Sequence, residues 1–187
     1  FPYTTLFRSF SAVLGTAAQA ETTDTLKKIK DSGTITLGVR ESSGALAYTL
    51  GNGKYVGFHT EMAERVAQDI RKKLGMSSIT VKYQPVTSQN RIPLVQNGTV
   101  DLECGSTTNN ATRQKDVSFG LTTYVTEVRM AVKAKSGITG IAQLNGKTVA
   151  TTTGTTSVQT LRKHKAAEKV NFKEVFGKDH ADSFLLM

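Results

Sequence analysis

The sequence is short of several things at once. It has one cysteine, no tryptophan, fewer acidic than basic residues, and no long apolar run in its 187 residues. No segment approaches the roughly 20 apolar residues that a membrane-crossing helix needs. The lone thiol, Cys104, leaves two readings, a buried inert side chain or a cysteine whose partner lies elsewhere. No metal-binding spacing links Cys104 with His59, His164 and His180. A nucleophile elbow and a phosphate-cradling glycine loop are both absent, so no catalytic residue, metal or cofactor is expected. The 15 acidic residues face 24 basic ones, a formal net charge of +9. Nucleic-acid binders concentrate such charge in blocks interleaved with aromatics. Here the longest basic run is Arg71-Lys72-Lys73, and aromatics make up only 7%. Nucleic acid is therefore set aside, leaving small anions or a solvated basic surface.

The two ends stand apart from the rest. Residues 1–9 carry no structural pattern and resemble translated cloning sequence. Residues 10–20 are small and apolar, close on Ala18-Gln19-Ala20 and precede a polar stretch, the pattern of a signal-peptide remnant. That reading places the mature protein outside the cytoplasm. The last residues, Ser183 to Met187, have the character of a helix with no closing signal, which suggests a truncation.

Between the ends, hydrophobic periodicity alternates between two and 3.6 residues. A short helix is predicted over Leu26–Ser32 and a strand over Thr34–Val39. A loop or hairpin follows around Gly51-Asn52-Gly53. Met62, Ala63, Val66, Ala67, Ile70 and Leu74 make one apolar stripe, so Thr60–Leu74 is a helix. Ile79, Val81 and Tyr83 alternate on a strand, Arg91–Gln96 is a short helix, and Val100–Cys104 a second short strand. Tyr124–Ala134 is strand-like. A further unit begins after Lys135-Ser136-Gly137, with a strand at Lys147–Thr152, a helix at Thr156–Lys169 and a short strand through Phe172, Glu174 and Phe176. This alternation predicts an α/β fold with a largely parallel sheet. Two lobes are expected, residues 21–133 and the partial 134–187.

Four polar clusters fall at predicted strand ends, where open α/β sheets bind ligands. They are Arg40-Glu41-Ser42-Ser43, Thr87-Ser88-Gln89-Asn90-Arg91, Gly105-Ser106-Thr107-Thr108-Asn109-Asn110 with Arg113 beyond, and Thr153-Gly154-Thr155-Thr156-Ser157. Hydroxyl and amide side chains at such places are first of all helix caps and turn formers. Capping needs no arginine, however. Three arginines beside hydroxyl loops suit a ligand with more than one carboxylate, since a guanidinium fork holds a carboxylate in two places.

These stretches, with Gln96-Asn97-Gly98-Thr99, Glu103-Cys104 and Lys178-Asp179-His180-Ala181-Asp182-Ser183-Phe184, resemble the glutamate/aspartate-binding proteins of ATP-driven importers, in family 3 of the bacterial extracellular solute-binding proteins. The resemblance runs from about Leu26 to Phe184. It implies a two-lobed, type II periplasmic-binding-protein-like fold, here with an incomplete second lobe, that closes on one amino acid. It further implies that Arg113, with Ser106, Thr108 and Thr156, holds the α-carboxylate of L-glutamate or L-aspartate. Arg40, Ser88, Arg91 and His180 then surround the side-chain carboxylate. The residue meeting the α-ammonium and the partner of Cys104 would lie beyond residue 187. The implied partners are the ligand and an ABC transporter permease, and the protein would act as a monomer. Two other classes stay open. One is an enzyme on the same scaffold, a dehydratase or a cell-wall glycan-cleaving enzyme, for which Glu41, Glu103 and His180 are acid–base candidates. The other is the ligand-sensing domain of a receptor.

Overall fold

A computed structural model describes residues 24–187. Residues 1–20, read as cloning sequence and signal remnant, lie outside the described residues, as do residues 21–23 of the expected first lobe.

Helix α1 (Thr25–Ser32) begins where the Asp24 side chain accepts from the Lys27 N–H and ends at Gly33, whose φ of 66° is left-handed. Strand β1 (Thr34–Val39) follows directly. It is the centre of a three-stranded parallel sheet, flanked by β4 (Thr80–Pro85) and β5 (Leu102–Glu103). Being central, β1 buries Ile35, Leu37 and Val39 almost completely. Between β1 and β4 lie a hairpin, β2 (Tyr48–Gly51) and β3 (Lys54–Val56), and helix α2 (Phe58–Lys73). Of the expected α2 stripe, Ala63, Ala67, Ile70 and Leu74 pack in one cluster with Ile35, Leu37 and Val39, whereas Val66, on the edge of the stripe, is 36% exposed. The helix starts two residues before its predicted Thr60. Gly57 at φ 121° makes the sharp entry, where a Cβ would stand 2.8 Å from the Leu46 carbonyl oxygen.

Helix α3 (Arg91–Gln96) links β4 to β5. Beyond β5 the chain loses regular structure. Tyr124–Ala134, expected as a strand, is not one: residues 118–133 form no helix or strand. A strand needs a neighbour for its backbone N–H and C=O groups, and no described strand pairs with this stretch. Its apolar side chains stand out in solvent, with Leu121 94% and Val125 85% exposed.

A second sheet follows. β6 (Thr148–Thr152) and β7 (Lys173–Gly177) run parallel, joined by α4 (Thr156–Ala167), and α5 (His180–Leu185) comes after β7. Leu144, Leu161, Val170 and Phe172 form a hydrophobic cluster separate from the one under α2. The fold is α/β, with two parallel sheets, each with its own apolar packing.

Candidate functional site

The carboxyl ends of β1, β4, β5, β6 and β7 converge on one seam, and every sequence-predicted site residue lies along it. The β1–β4 ladder continues one residue past β4 through Val86 N–H donating to the Val39 carbonyl at 2.9 Å. This brings the Val86 carbonyl beside the residue that follows β1, Arg40.

Arg40 is 0% exposed and heavily engaged. Its Nη1 donates to the Val86 carbonyl at 2.6 Å and its Nε to Ser43 Oγ at 3.2 Å. Its Nη2 donates to Ser88 Oγ at 3.2 Å and to the Asp179 carboxylate across the seam. Ser88 is itself buried.

Arg91, the first residue of α3, is in the opposite condition. It is 2% exposed, yet its hydrogen bond is a long one, Nη1 to Ser106 Oγ at 3.3 Å, and its Nε is buried with no acceptor. Burial lowers its pKa to about 10; Arg40 and Arg113 push the same way, while Glu103 and Asp179 oppose. A desolvated cation with an unmet donor is an arrangement that a carboxylate would satisfy.

Arg113 sits in a short 3-10 turn, Arg113–Lys115, and is less buried. Its Nη1 donates to the Thr108 carbonyl at 3.0 Å and its Nη2 to the Gly154 carbonyl at 3.1 Å, tying the β5 loop to the β6 loop. Its pKa is lowered by burial, against the pull of Glu103. Thr108 Oγ1 and Thr156 Oγ1 lie 3.3 Å apart across the same gap. Gly154 also lets the β6 loop approach the loop after β4. At φ 77°, a Cβ there would stand 2.6 Å from Gln89 Cα.

His180 opens α5. Sequence alone makes it a surface histidine, and the structure instead half-buries it between two hydroxyls. Its Nε2 is 3.4 Å from Ser106 Oγ and its Nδ1 3.0 Å from Thr152 Oγ1. Burial, then the Arg40 charge, lower its pKa, which Asp179 partly restores. The ring is therefore neutral at pH 7.

Two carboxylates join the site, Asp179, which the sequence marks only as a cap, and Glu103, which it offers only as an acid–base candidate of the enzyme alternative. Asp179 stood in the quoted Lys178-Asp179-His180 stretch, but its spacing to Asp182 marks a helix cap and nothing more. It is that cap, accepting from the His180 N–H at 2.8 Å, and it is also the counter-ion of Arg40. Glu103 ends the short strand β5. Its carboxylate turns toward the guanidinium groups, with Oε2 accepting from Thr107 Oγ1 at 2.7 Å and Oε1 buried without a donor. Gly105 gives it room, since a Cβ there would stand against Glu103 Oε1 and 2.7 Å from Arg40 Cγ. Cys104 beside it is a free thiol, pushed up to about 11 by burial and by the Glu103 charge. Among the described residues no cluster could hold a metal ion, and no helix is long and apolar enough to cross a membrane.

Residues 35–183 match the family model of bacterial extracellular solute-binding proteins, family 3. The chain is 45% identical over 169 residues to an L-glutamate/L-aspartate-binding protein of Pseudomonas aeruginosa, covering 89% of this chain and 56% of that protein. It is 44% identical over 160 residues to a glutamate/aspartate import solute-binding protein of Escherichia coli, covering 86% and 53%. The chain thus spans about half the length of these relatives. The crystal structure of a cysteine-binding protein from Campylobacter jejuni superposes with a TM-score of 0.68 at 21% identity, over 86% of this chain and 61% of that one, a likeness of fold. With a family match over most of its length and a parallel α/β fold that gathers polar groups at its strand ends, the chain belongs to the bacterial extracellular solute-binding proteins, family 3.

Proposed function

We propose that this chain forms the ligand-capturing part of a periplasmic substrate-binding protein for L-glutamate or L-aspartate, which hands its ligand to the permease of an ABC importer. One observation carries the reading: Arg91 is buried with a donor left unmet at the point where the strand ends converge. A ligand carboxylate supplies the missing acceptor. In this reading residues 21–133 are the first lobe and 134–187 belong to the second. Arg91 takes the side-chain carboxylate, with Arg40, Ser88 and His180 around it. Arg113 takes the α-carboxylate, with Ser106, Thr108 and Thr156. The neutral imidazole of His180, placed between two hydroxyls, suits hydrogen bonding rather than proton transfer. The protein works as a monomer and carries out no chemistry on its ligand. The names of the relatives at 44–45% identity support the ligand class.

Calorimetric titration of the protein produced from its complete gene tests the proposal. Glutamate or aspartate should bind in the micromolar range or tighter, and glutamine markedly less well, since an amide returns less to a buried guanidinium. Failure to bind either acid, or a preference for arginine or histidine, refutes it.

A further inference from the structure

The site holds three guanidinium groups, but they are not equally available. Arg40 already gives hydrogen bonds to Val86, Ser43, Ser88 and Asp179. Asp179 is the one partner that brings charge, and it arrives from the other sheet, 139 residues along the chain. Beside it the Ala181 N–H donates to Ser42 Oγ at 3.3 Å, so the contact belongs to a seam and not to an isolated pair. Arg91 and Arg113 have no such partner; neither forms an ion pair among the described residues.

We propose that Asp179 is a specificity-determining residue: by neutralising Arg40 from within, it moderates the site's preference for a ligand carboxylate over the matching amide. An uncompensated buried cation a few ångströms from the ligand side chain favours the charged ligand over the neutral one. A resident carboxylate on that cation removes most of the difference. Asp179 would then do two things. It holds the two sheets together through Arg40, and it keeps glutamate or aspartate from being bound too tightly to be released. The inference rests on the proposed ligand class.

Glutamate and glutamine form the probe pair, since they differ in charge and scarcely in shape. The readout is the ratio of their dissociation constants, measured by calorimetry on the protein from its complete gene. Asp179→Asn retains the shape and the capping ability of the side chain and removes the charge. Asp179→Ser is a second uncharged cap should the first fail to fold. Both should increase the preference for glutamate over glutamine by about tenfold or more. Asp179→Glu should keep the wild-type ratio, and so should Ser42→Ala, which weakens the seam without altering its charge. A purely structural Asp179 would weaken both ligands together and leave the ratio unchanged, which overturns the proposal. A ratio that falls, because Arg40 has moved out of place, also overturns it. If the wild-type protein binds neither glutamate nor aspartate, the ligand class fails first. If it binds them and the ratio stays unmoved, only the role of Asp179 fails.

Discussion

Replacing Arg91 by methionine should make the protein more stable without ligand and nearly unable to bind it. Arg91 is almost wholly buried, with one long hydrogen bond and an unmet Nε donor. Burial brings its pKa from the usual guanidinium range to about 10, and a fall of that size corresponds to roughly 3 kcal/mol of uncompensated burial. The group is a base with its folded pKa below its unfolded one. Its cost to the folded state is therefore fully present at neutral pH, and lifts only as pH rises through about 10. Methionine has similar length and no charge. Exchange of a poorly compensated buried ion for an apolar side chain commonly stabilises by about 1–4 kcal/mol. Loss of a buried charged hydrogen-bond partner costs a bound carboxylate about 2–5 kcal/mol, which at 1.4 kcal/mol per decade is a weakening of roughly 30- to several-thousand-fold. Urea unfolding at pH 7 checks the first quantity and calorimetry the second. The lack of tryptophan means that unfolding is best followed by circular dichroism. A variant that is less stable than wild type and binds glutamate as before would refute the reasoning on both counts.

Further outcomes follow from other parts of the seam. The lowered pKa of His180 means that its contribution to stability is present above about 6.5 and is lost as pH falls below that value; His180→Gln should flatten the stability profile between pH 5 and 7 in denaturant titrations. Gly154→Ala should cost about 1–2 kcal/mol for the left-handed backbone alone and more from its approach to Gln89, and should weaken ligand binding in calorimetry. Cys104, half-buried and pushed up to about 11, should resist thiol reagents at pH 8 in the folded protein and react only in denaturant, as timed alkylation followed by mass spectrometry would record.

The parts of this molecule legible in its sequence are those decided by local periodicity. The stripe of α2 faces the sheet because every third or fourth residue must, and Gly33 ends α1 because little else adopts that conformation readily. The arginines were legible for a related reason: strand ends, hydroxyls and guanidinium groups lie close together in sequence. What was not legible depended on distant partners. Tyr124–Ala134 has strand composition, but a strand is a relation to a neighbour, and composition names none. Asp179 looks like a helix cap because that is all its nearest neighbours require, while its contact with Arg40 spans 139 residues. Glu103 alternates on a strand end, and only the bare Cα of Gly105 shows why its carboxylate can turn inward. His180 needed the resemblance to be singled out and the structure to be given its hydroxyl partners.

The way Arg40 is held bears on how the seam can open. Its four acceptors lie 3, 46, 48 and 139 residues away along the chain. Loop-closure entropy grows so slowly with length that the last of these costs only about 1 kcal/mol more to bring together than the second. The main resistance to forming it is the stripping of water from Asp179. When Asp179 withdraws, Arg40 keeps Val86, Ser43 and Ser88, so its guanidinium stays in place with its sheet intact. Opening at this point means rehydrating one carboxylate and parting the lighter Arg113–Gly154 and Ala181–Ser42 hydrogen bonds, with no element unfolded. An ion pair whose arginine stays anchored in its own sheet can break and re-form without loss of that sheet.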